Sequence, residues 1–227
     1  MHIGLIGGIG PAATVAYYQR LCARMRQLEA PLELTIVQAD VLTLIRTNLA
    51  DLRDEQAAIY ASLIERLKAA GAECAAITSL GGHFCFDETS RLSVLPLVSA
   101  VAPLDAHFAN AGIARVGLLG TRVVMRTRLY GQLRRTSAVA LDDDIDRLGQ
   151  LYQDIAVSGA CSSDQRDALF VAGRRMIDEQ GADAIVLAGT DLNLAFEHHD
   201  PGYRVIDALD VHVGLLAELA AGRKMLA

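Results

Sequence analysis

Tryptophan is absent from the 227 residues, and Phe and Tyr together supply only 5% of them. No stretch approaches the ~20 consecutive apolar residues that cross a bilayer, so no membrane partner is expected. The four cysteines (Cys22, Cys74, Cys85, Cys161) show no CxxC spacing and have no histidine ladder beside them. A structural zinc site and a disulfide framework are therefore both unexpected. A basic face is missing too. The 27 acidic and 21 basic residues are mixed along the chain, with a net charge of -6. The densest basic stretch, Arg122 to Arg135, reads as a solvated helix end, and nucleic acid is set aside. A strand expected from His2 leaves no room for a leader, so cytoplasm is the expected compartment.

What is present is apolar and periodic. Hydrophobic residues make up 52% of the chain. Short apolar runs, suited to strands covered on both faces, alternate with longer segments of helical period. The runs are His2–Gly7, Leu32–Asp40, Cys74–Leu80, Leu95–Ala100, Arg115–Gly120, Ala138–Leu141, Ala184–Gly189 and Arg204–Asp207. Between them, residues 54–70 place Tyr60, Leu63, Ile64 and Leu67 on one helical face, and residues 163–180 do the same with Leu169, Gly173, Met176 and Ile177. This alternation predicts an α/β fold with parallel sheets and right-handed crossovers.

The chain also resembles itself. Gly4-Leu5-Ile6-Gly7 returns as Gly117-Leu118-Leu119-Gly120, and Gly71-Ala72-Glu73 returns as Gly181-Ala182-Asp183 ahead of the matching strand. Pro96 to Ala100 is echoed more faintly by Arg204 to Ala208. Three echoes in one order, at a nearly constant offset too long for a solenoid, predict two copies of one α/β domain. The expected division is 1–100 plus 209–227 for the first lobe and 101–208 for the second. Ligands of open parallel sheets sit beyond the carboxyl ends of the strands. Two facing copies would gather Gly7 to Gly10, Ser79 to His83, Gly120-Thr121 and Gly189 to Asp191 around one cleft.

Each of these segments has two readings. Gly8-x-Gly10-x-x-Ala13 fits a loose dinucleotide fingerprint, with Asp40 near the ribose-acid position. Pro11, however, removes an N–H donor from the first helical turn. A small carboxylate or phosphate suits the loop better than a nucleotide cofactor. After the third strand come Ser79, Gly81, Gly82, His83 and Cys85. The glycines allow close backbone approach, or simply make a tight turn. Ser79 needs a base beside it to act as a nucleophile. His83 is either that base or a hydrogen-bonding loop residue, and Cys85 is either a buried thiol inside the next helix or a lone catalytic one. In the second half, Thr190 and Thr121 offer hydroxyls to a carboxylate, and Asp191 is either a helix cap or a functional acid. His198-His199-Asp200-Pro201 reads as a solvated loop rather than a metal cluster, so no metal is expected.

Together these segments resemble the aspartate/glutamate racemase family. The likeness is carried by Gly4 to Thr14, by the Gly71 strand ending in Ser79 with His83 four residues later, by Gly117 to Thr121 with Met125 and Tyr130, and by Gly181 to Asp191. The resemblance implies two Rossmann-like lobes related by a pseudo-twofold. It also implies an interlobe cleft for a small dicarboxylate or amino acid, no cofactor, and a homodimer. The departures bear on function. Where the family reads Cys-Asn-Thr-x-His, this chain reads Ser79-Leu80-Gly81-Gly82-His83. Where the family reads Gly-Cys-Thr-Glu, it reads Ala188-Gly189-Thr190-Asp191. Both thiols of a two-thiol proton shuttle are replaced. The resemblance thus points to a divergent isomerase or lyase, with Ser79, His83 and Asp191 as catalytic candidates. Gly8, Gly10, Arg46, Gly81, Gly82, Thr121, Gly189 and Thr190 are the substrate-binding candidates. A sensor or binding protein using the same cleft without catalysis is the alternative.

Overall fold

Strand β1 (His2–Gly7) is buried from Ile3 onward, as a strand sandwiched between helices must be. In the computed structural model, which describes residues 1–226, β1 is followed by helix α1 (Pro11–Gln27) and strand β2 (Glu33–Gln38). Next come α2 (Val41–Leu49), α3 (Arg53–Ala69), β3 (Cys74–Ile77), a 310 turn over Gly81–Cys85, α4 (Phe86–Leu92) and β4 (Leu97–Val98). All pairings are parallel, in the order β2-β1-β3-β4, with Ile3 beside both Leu34 and Cys74. The stripe expected on α3 is present: Tyr60, Leu63, Ile64 and Leu67 are buried, while Asp54 and Glu55 in the first turn and Arg66 and Lys68 in the last complement the helix dipole.

The second half repeats the design. It runs α5 (Leu104–Asn110), β5 (Arg115–Gly120), α6 (Arg122–Arg126), β6 (Ser137–Val139), α7 (Ile145–Ser158), α8 (Ser163–Gln180), β7 (Ala184–Ala188), α9 (Asn193–Phe196), β8 (Val205–Asp207) and α10 (Ala208–Ala220). Its parallel sheet has the order β6-β5-β7-β8, strand for strand the order of the first sheet. Helix α8 opens on a reciprocal Ser162–Gln165 capping box and closes on Gly181 in the left-handed conformation, φ 66°. The chain divides into two compact units. One holds Met1–Ala100 and the stretch from His212 onward; the other holds Val101–Val211.

All eight expected strands form, β1 and β5 at the expected limits, and two local expectations are corrected. The run Leu95–Ala100 pairs only at Leu97 and Val98. Pro96 has no N–H to give, and the Ala100 N–H leaves the ladder for the His83 ring, 3.0 Å away. Cys85 ends the 310 turn instead of lying inside the next helix. Among the described residues no helix is long and apolar enough to cross a membrane.

Candidate functional site

In each unit the chain leaves its first strand toward one edge of the sheet and then crosses back to the strand on the other side. That reversal, between β1 and β3 or between β5 and β7, is where an open α/β sheet presents a crevice at its carboxyl ends. Glycines bring the two loops together there. A Cβ on Gly8 would come within 2.9 Å of the Ser79 Cβ, and one on Gly120 would lie 2.6 Å from the Ala188 carbonyl. The sequence placed Gly8, Ser79, Gly120-Thr121 and Gly189 at carboxyl ends, and the fold brings Gly8 beside Ser79 and Gly120 beside Gly189 within their units.

In the first unit, Gly10 precedes α1 without a side-chain cap, and Pro11 takes the first helical position. The Gln38 amide donates to the Gly8 carbonyl (3.2 Å) and so anchors the glycine loop to β2. Ser79 is buried, and its Oγ accepts the Gly82 N–H (3.3 Å), so the hydroxyl closes the turn and does not rest against a base. Gly82 admits no side chain, since a Cβ would stand 2.6 Å from the Tyr60 hydroxyl. That hydroxyl accepts from Gln56 (2.9 Å), whose Oε1 in turn accepts from Thr47 (2.6 Å). Asn48 donates to the Gly81 carbonyl (3.1 Å). Helices α2 and α3 therefore brace the Gly81-Gly82 turn through a buried polar chain.

His83 is buried with both ring nitrogens occupied. Nε2 accepts the Ala100 N–H (3.0 Å), which forces the proton onto Nδ1, and Nδ1 donates to the Ser79 carbonyl (2.8 Å). Burial pushes its pKa down to about 4 against the opposing pull of the Ser79 carbonyl, so the ring is neutral at pH 7. It ties the Ser79 turn to the end of β4. To act as an acid or base, or to be oriented by Asp191, it would first have to release a backbone partner. The Cys85 thiol is fully buried, donates to the Gly82 carbonyl (3.5 Å), and is pushed up to about 11 chiefly by burial, so it is no ready thiolate. Arg46 lies on the surface in an ion pair with Glu55, which keeps its guanidinium protonated.

The second unit holds the residue that the sequence did not reveal. Tyr152, on α7, is buried with its ring where a Gly189 side chain would be: a Cβ there would sit 2.3 Å from the ring Cε2. The Tyr152 hydroxyl donates to the Asp191 carboxylate (3.1 Å). Burial and the neighbouring carboxylate hold this phenol far above its ordinary pKa, so it stays a donor. Asp191 is itself buried, inside the 310 turn Thr190–Leu192. Thr121 is buried and caps α6, its Oγ accepting the Val124 N–H (3.4 Å). The only hint of Tyr152 was its place in the apolar stripe of Leu148, Tyr152 and Ile155, which marks a core helix face.

The comparisons agree with this architecture. Among solved structures, an aspartate racemase homologue from Pyrococcus horikoshii superposes with a TM-score of 0.76 at 23% identity, over 96% of this chain and 98% of that one. A putative Asp/Glu racemase from Yersinia pestis gives 0.77 at 23%, over 97% and 99%. Glutamate racemase from Francisella tularensis, solved with D-glutamate, gives 0.67 at 12%, over 100% and 83%. At these identities the likeness establishes the fold. The family model for Asp/Glu/hydantoin racemase spans residues 6–216, nearly the whole sequence, and both sheets lie inside that span. The chain belongs to the Asp/Glu/hydantoin racemase family.

Proposed function

We propose that this protein binds a small carboxylate or amino acid of the aspartate/glutamate kind through the carboxyl-end loops of both units, and acts on it without cofactor and without two-thiol chemistry. The observation carrying this reading is the buried Tyr152–Asp191 pair standing over Gly189, the position where the resemblance implies a thiol in the family. A tyrosine ring takes the thiol's space, and a carboxylate held by a phenol donor takes over as the nearest ionisable group. Asp191 is the acid/base group in this proposal: it takes the ligand's α-proton and returns it, or passes it to a leaving group. Thr121, Thr190, Ser79 and the glycine-loop amides hold the ligand carboxylates, with Gly8, Gly10, Gly81, Gly82 and Gly189 letting the backbone come close. Arg46 reaches a distal carboxylate only by giving up Glu55. His83 serves as a positioning residue through the Ser79 turn.

The test is incorporation of deuterium from D2O at the α-carbon of aspartate, glutamate, malate and hydantoins, after thermal-shift screening has found which of them bind. Exchange that falls about 10²–10⁴-fold in Asp191→Asn, with binding retained, supports the proposal. Exchange untouched by Asp191→Asn refutes the assigned role. Ser79→Ala and Thr190→Val should each weaken the same ligand, since one ligand draws on both units. One observation favours a second reading, a non-catalytic sensor: the His83 nitrogens and the Ser79 hydroxyl are already engaged. Binding with no exchange for any bound compound decides for the sensor.

A further inference from the structure

In the first unit a groove of about 550 Å³, a volume suited to a small ligand, runs between the end of β2 and one face of α3. Glu55, Ala58, Ile59, Ser62 and Arg66 recur along that face at helical spacing, and all five border the groove. Helix α3 sets out beside the carboxyl ends of the strands, because Asn48 just ahead of it reaches the Gly81 carbonyl beyond β3. It finishes beside their amino ends, where the Glu73 N–H donates to the His2 carbonyl (2.9 Å). Glu55, in the first turn, therefore shares one end of the groove with Asp40, just past β2. Arg66, in the last turn, stands toward the other end, about 16 Å of helix away. Between these charges the helical wall is Ala58, Ile59 and Ser62.

The charges differ in how they are engaged. Arg66 is exposed and pairs with no carboxylate among the described residues. Asp40 accepts the Thr43 N–H (2.8 Å) inside its own turn. Glu55 is held by Arg46 of α2, the guanidinium that the proposed function would draw on for a distal carboxylate. An exposed ion pair of this kind exchanges partners at little cost. Gln38 borders the groove as well, and its amide holds the Gly8 carbonyl (3.2 Å). The groove thus adjoins the candidate site at two points, Arg46 and the glycine loop, yet none of the candidate site residues lines it.

The ends dictate what fits. A cation suits the Asp40–Glu55 end, an anion suits Arg66, and methylenes suit the wall of Ala58 and Ile59. The side chains of Glu55 and Arg66 span part of the distance themselves, so a chain of about five methylenes covers the rest. We propose that this groove binds an ω-amino acid, an ammonium and a carboxylate joined by a short methylene chain, and that the bound ammonium draws Glu55 away from Arg46. The freed Arg46 then serves the dicarboxylate in the candidate site, which makes the groove an effector site. That last step rests on the proposed function; the binding and the release of Arg46 do not.

The probe is 6-aminohexanoate, added to the 15N-labelled full chain and followed by amide NMR shifts. Saturable shifts at Ala58, Ser62 and Arg66 are expected at about 3–30 mM, since each exposed charge pair adds little. Pentylamine and hexanoate, which each lack one charge, should bind about threefold more weakly. Arg66→Glu should reverse the choice, so that 1,6-diaminohexane binds more tightly than 6-aminohexanoate, a gain that no damaged fold produces. Ala58→Trp, which fills the groove from an exposed position, should abolish binding of both. Phenylglyoxal labelling of Arg46, read by peptide mass spectrometry, should rise about threefold as the probe saturates. Glu55→Gln should label at the higher level from the start and show no further response. With the groove saturated, aspartate or glutamate should bind about threefold more tightly. No saturable shift by about 100 mM, an unchanged preference in Arg66→Glu, or Arg46 labelling indifferent to the bound probe would each overturn the proposal. Groove shifts and the Arg46 response in a protein that binds no dicarboxylate would support the groove site and refute the proposed function alone.

Discussion

Gly189→Ala is the sharpest perturbation of the second unit. A Cβ at this position would lie 2.3 Å from Cε2, 2.7 Å from Cδ2 and 2.9 Å from Cζ of Tyr152, all well inside van der Waals contact. The ring has little room to yield, because it is 4% exposed and its hydroxyl is held 3.1 Å from the Asp191 carboxylate. Relieving the clash means displacing the ring. Overpacking of this kind costs about 1–3 kcal/mol, and weakening a hydrogen bond to a buried carboxylate adds about 1–2 kcal/mol. The expected total is about 2–5 kcal/mol, which for a chain of this size lowers Tm by about 4–20 °C. Thermal and urea melts followed by circular dichroism read this directly. Tyr152→Ala removes the obstructing ring at its own expense of about 3–5 kcal/mol. Adding Gly189→Ala to it should then cost less than about 0.5 kcal/mol, leaving a coupling of at least about 1.5 kcal/mol between the two sites. Strict additivity, or a Gly189→Ala protein that melts with wild type, would refute the placement of Tyr152 over Gly189. The same geometry predicts that Gly189→Cys alone does not install a working thiol, because the sulfur's path is filled.

The buried histidines give the fold an acid limit. His83 has its pKa pushed down to about 4 by burial; His212, which meets the Tyr17 hydroxyl at 2.8 Å, is pushed down to about 3 by burial and then by His83. The unfolded chain binds these protons near pH 6.5 and the folded chain resists them, so their contribution is complete above about pH 6.5. It is lost as pH falls through about 4, at a slope of up to about 1.4 kcal/mol per pH unit for each ring. Urea midpoints at pH 7, 5 and 4 should show this decline, and His83→Gln should flatten it; an unchanged slope would exclude His83 as a buried neutral group. Cys85 should resist iodoacetamide at pH 8 in the native protein while the part-exposed Cys22 and Cys161 react, as peptide mass spectrometry reports. Rapid native labelling of Cys85 would revive a one-thiol catalyst. Gly82→Ala should destabilise by about 2 kcal/mol, because its Cβ strikes the Tyr60 hydroxyl inside the Thr47–Gln56–Tyr60 chain, and Tyr60→Phe should recover part of the loss in denaturant melts.

The strands could be read from the sequence because strands covered on both faces must be apolar throughout, and the turns could be read because glycine and proline mark them. β1 and β5 form at their expected limits for that reason. What escaped depended on partners far away in the chain. β4 stops early because the Ala100 N–H turns to His83, seventeen residues back, and no local pattern announces that exchange. Tyr152 lies thirty-nine residues ahead of the carboxylate it holds and looks in sequence like any core residue of an amphipathic helix. Arg46 reads in sequence as a substrate-binding candidate, but its charge is taken by Glu55 nine residues on, a pairing that α2 and α3 create only once they are side by side. Glycine links what was legible to what was not. A strand-end glycine such as Gly8 or Gly189 marks a place where something comes close, and only the fold says whether the neighbour is another loop, as Ser79 is to Gly8, or an aromatic ring. In this chain Gly189 is the second case: its missing side chain leaves the volume that the Tyr152 ring fills, and the hydroxyl of that ring holds Asp191.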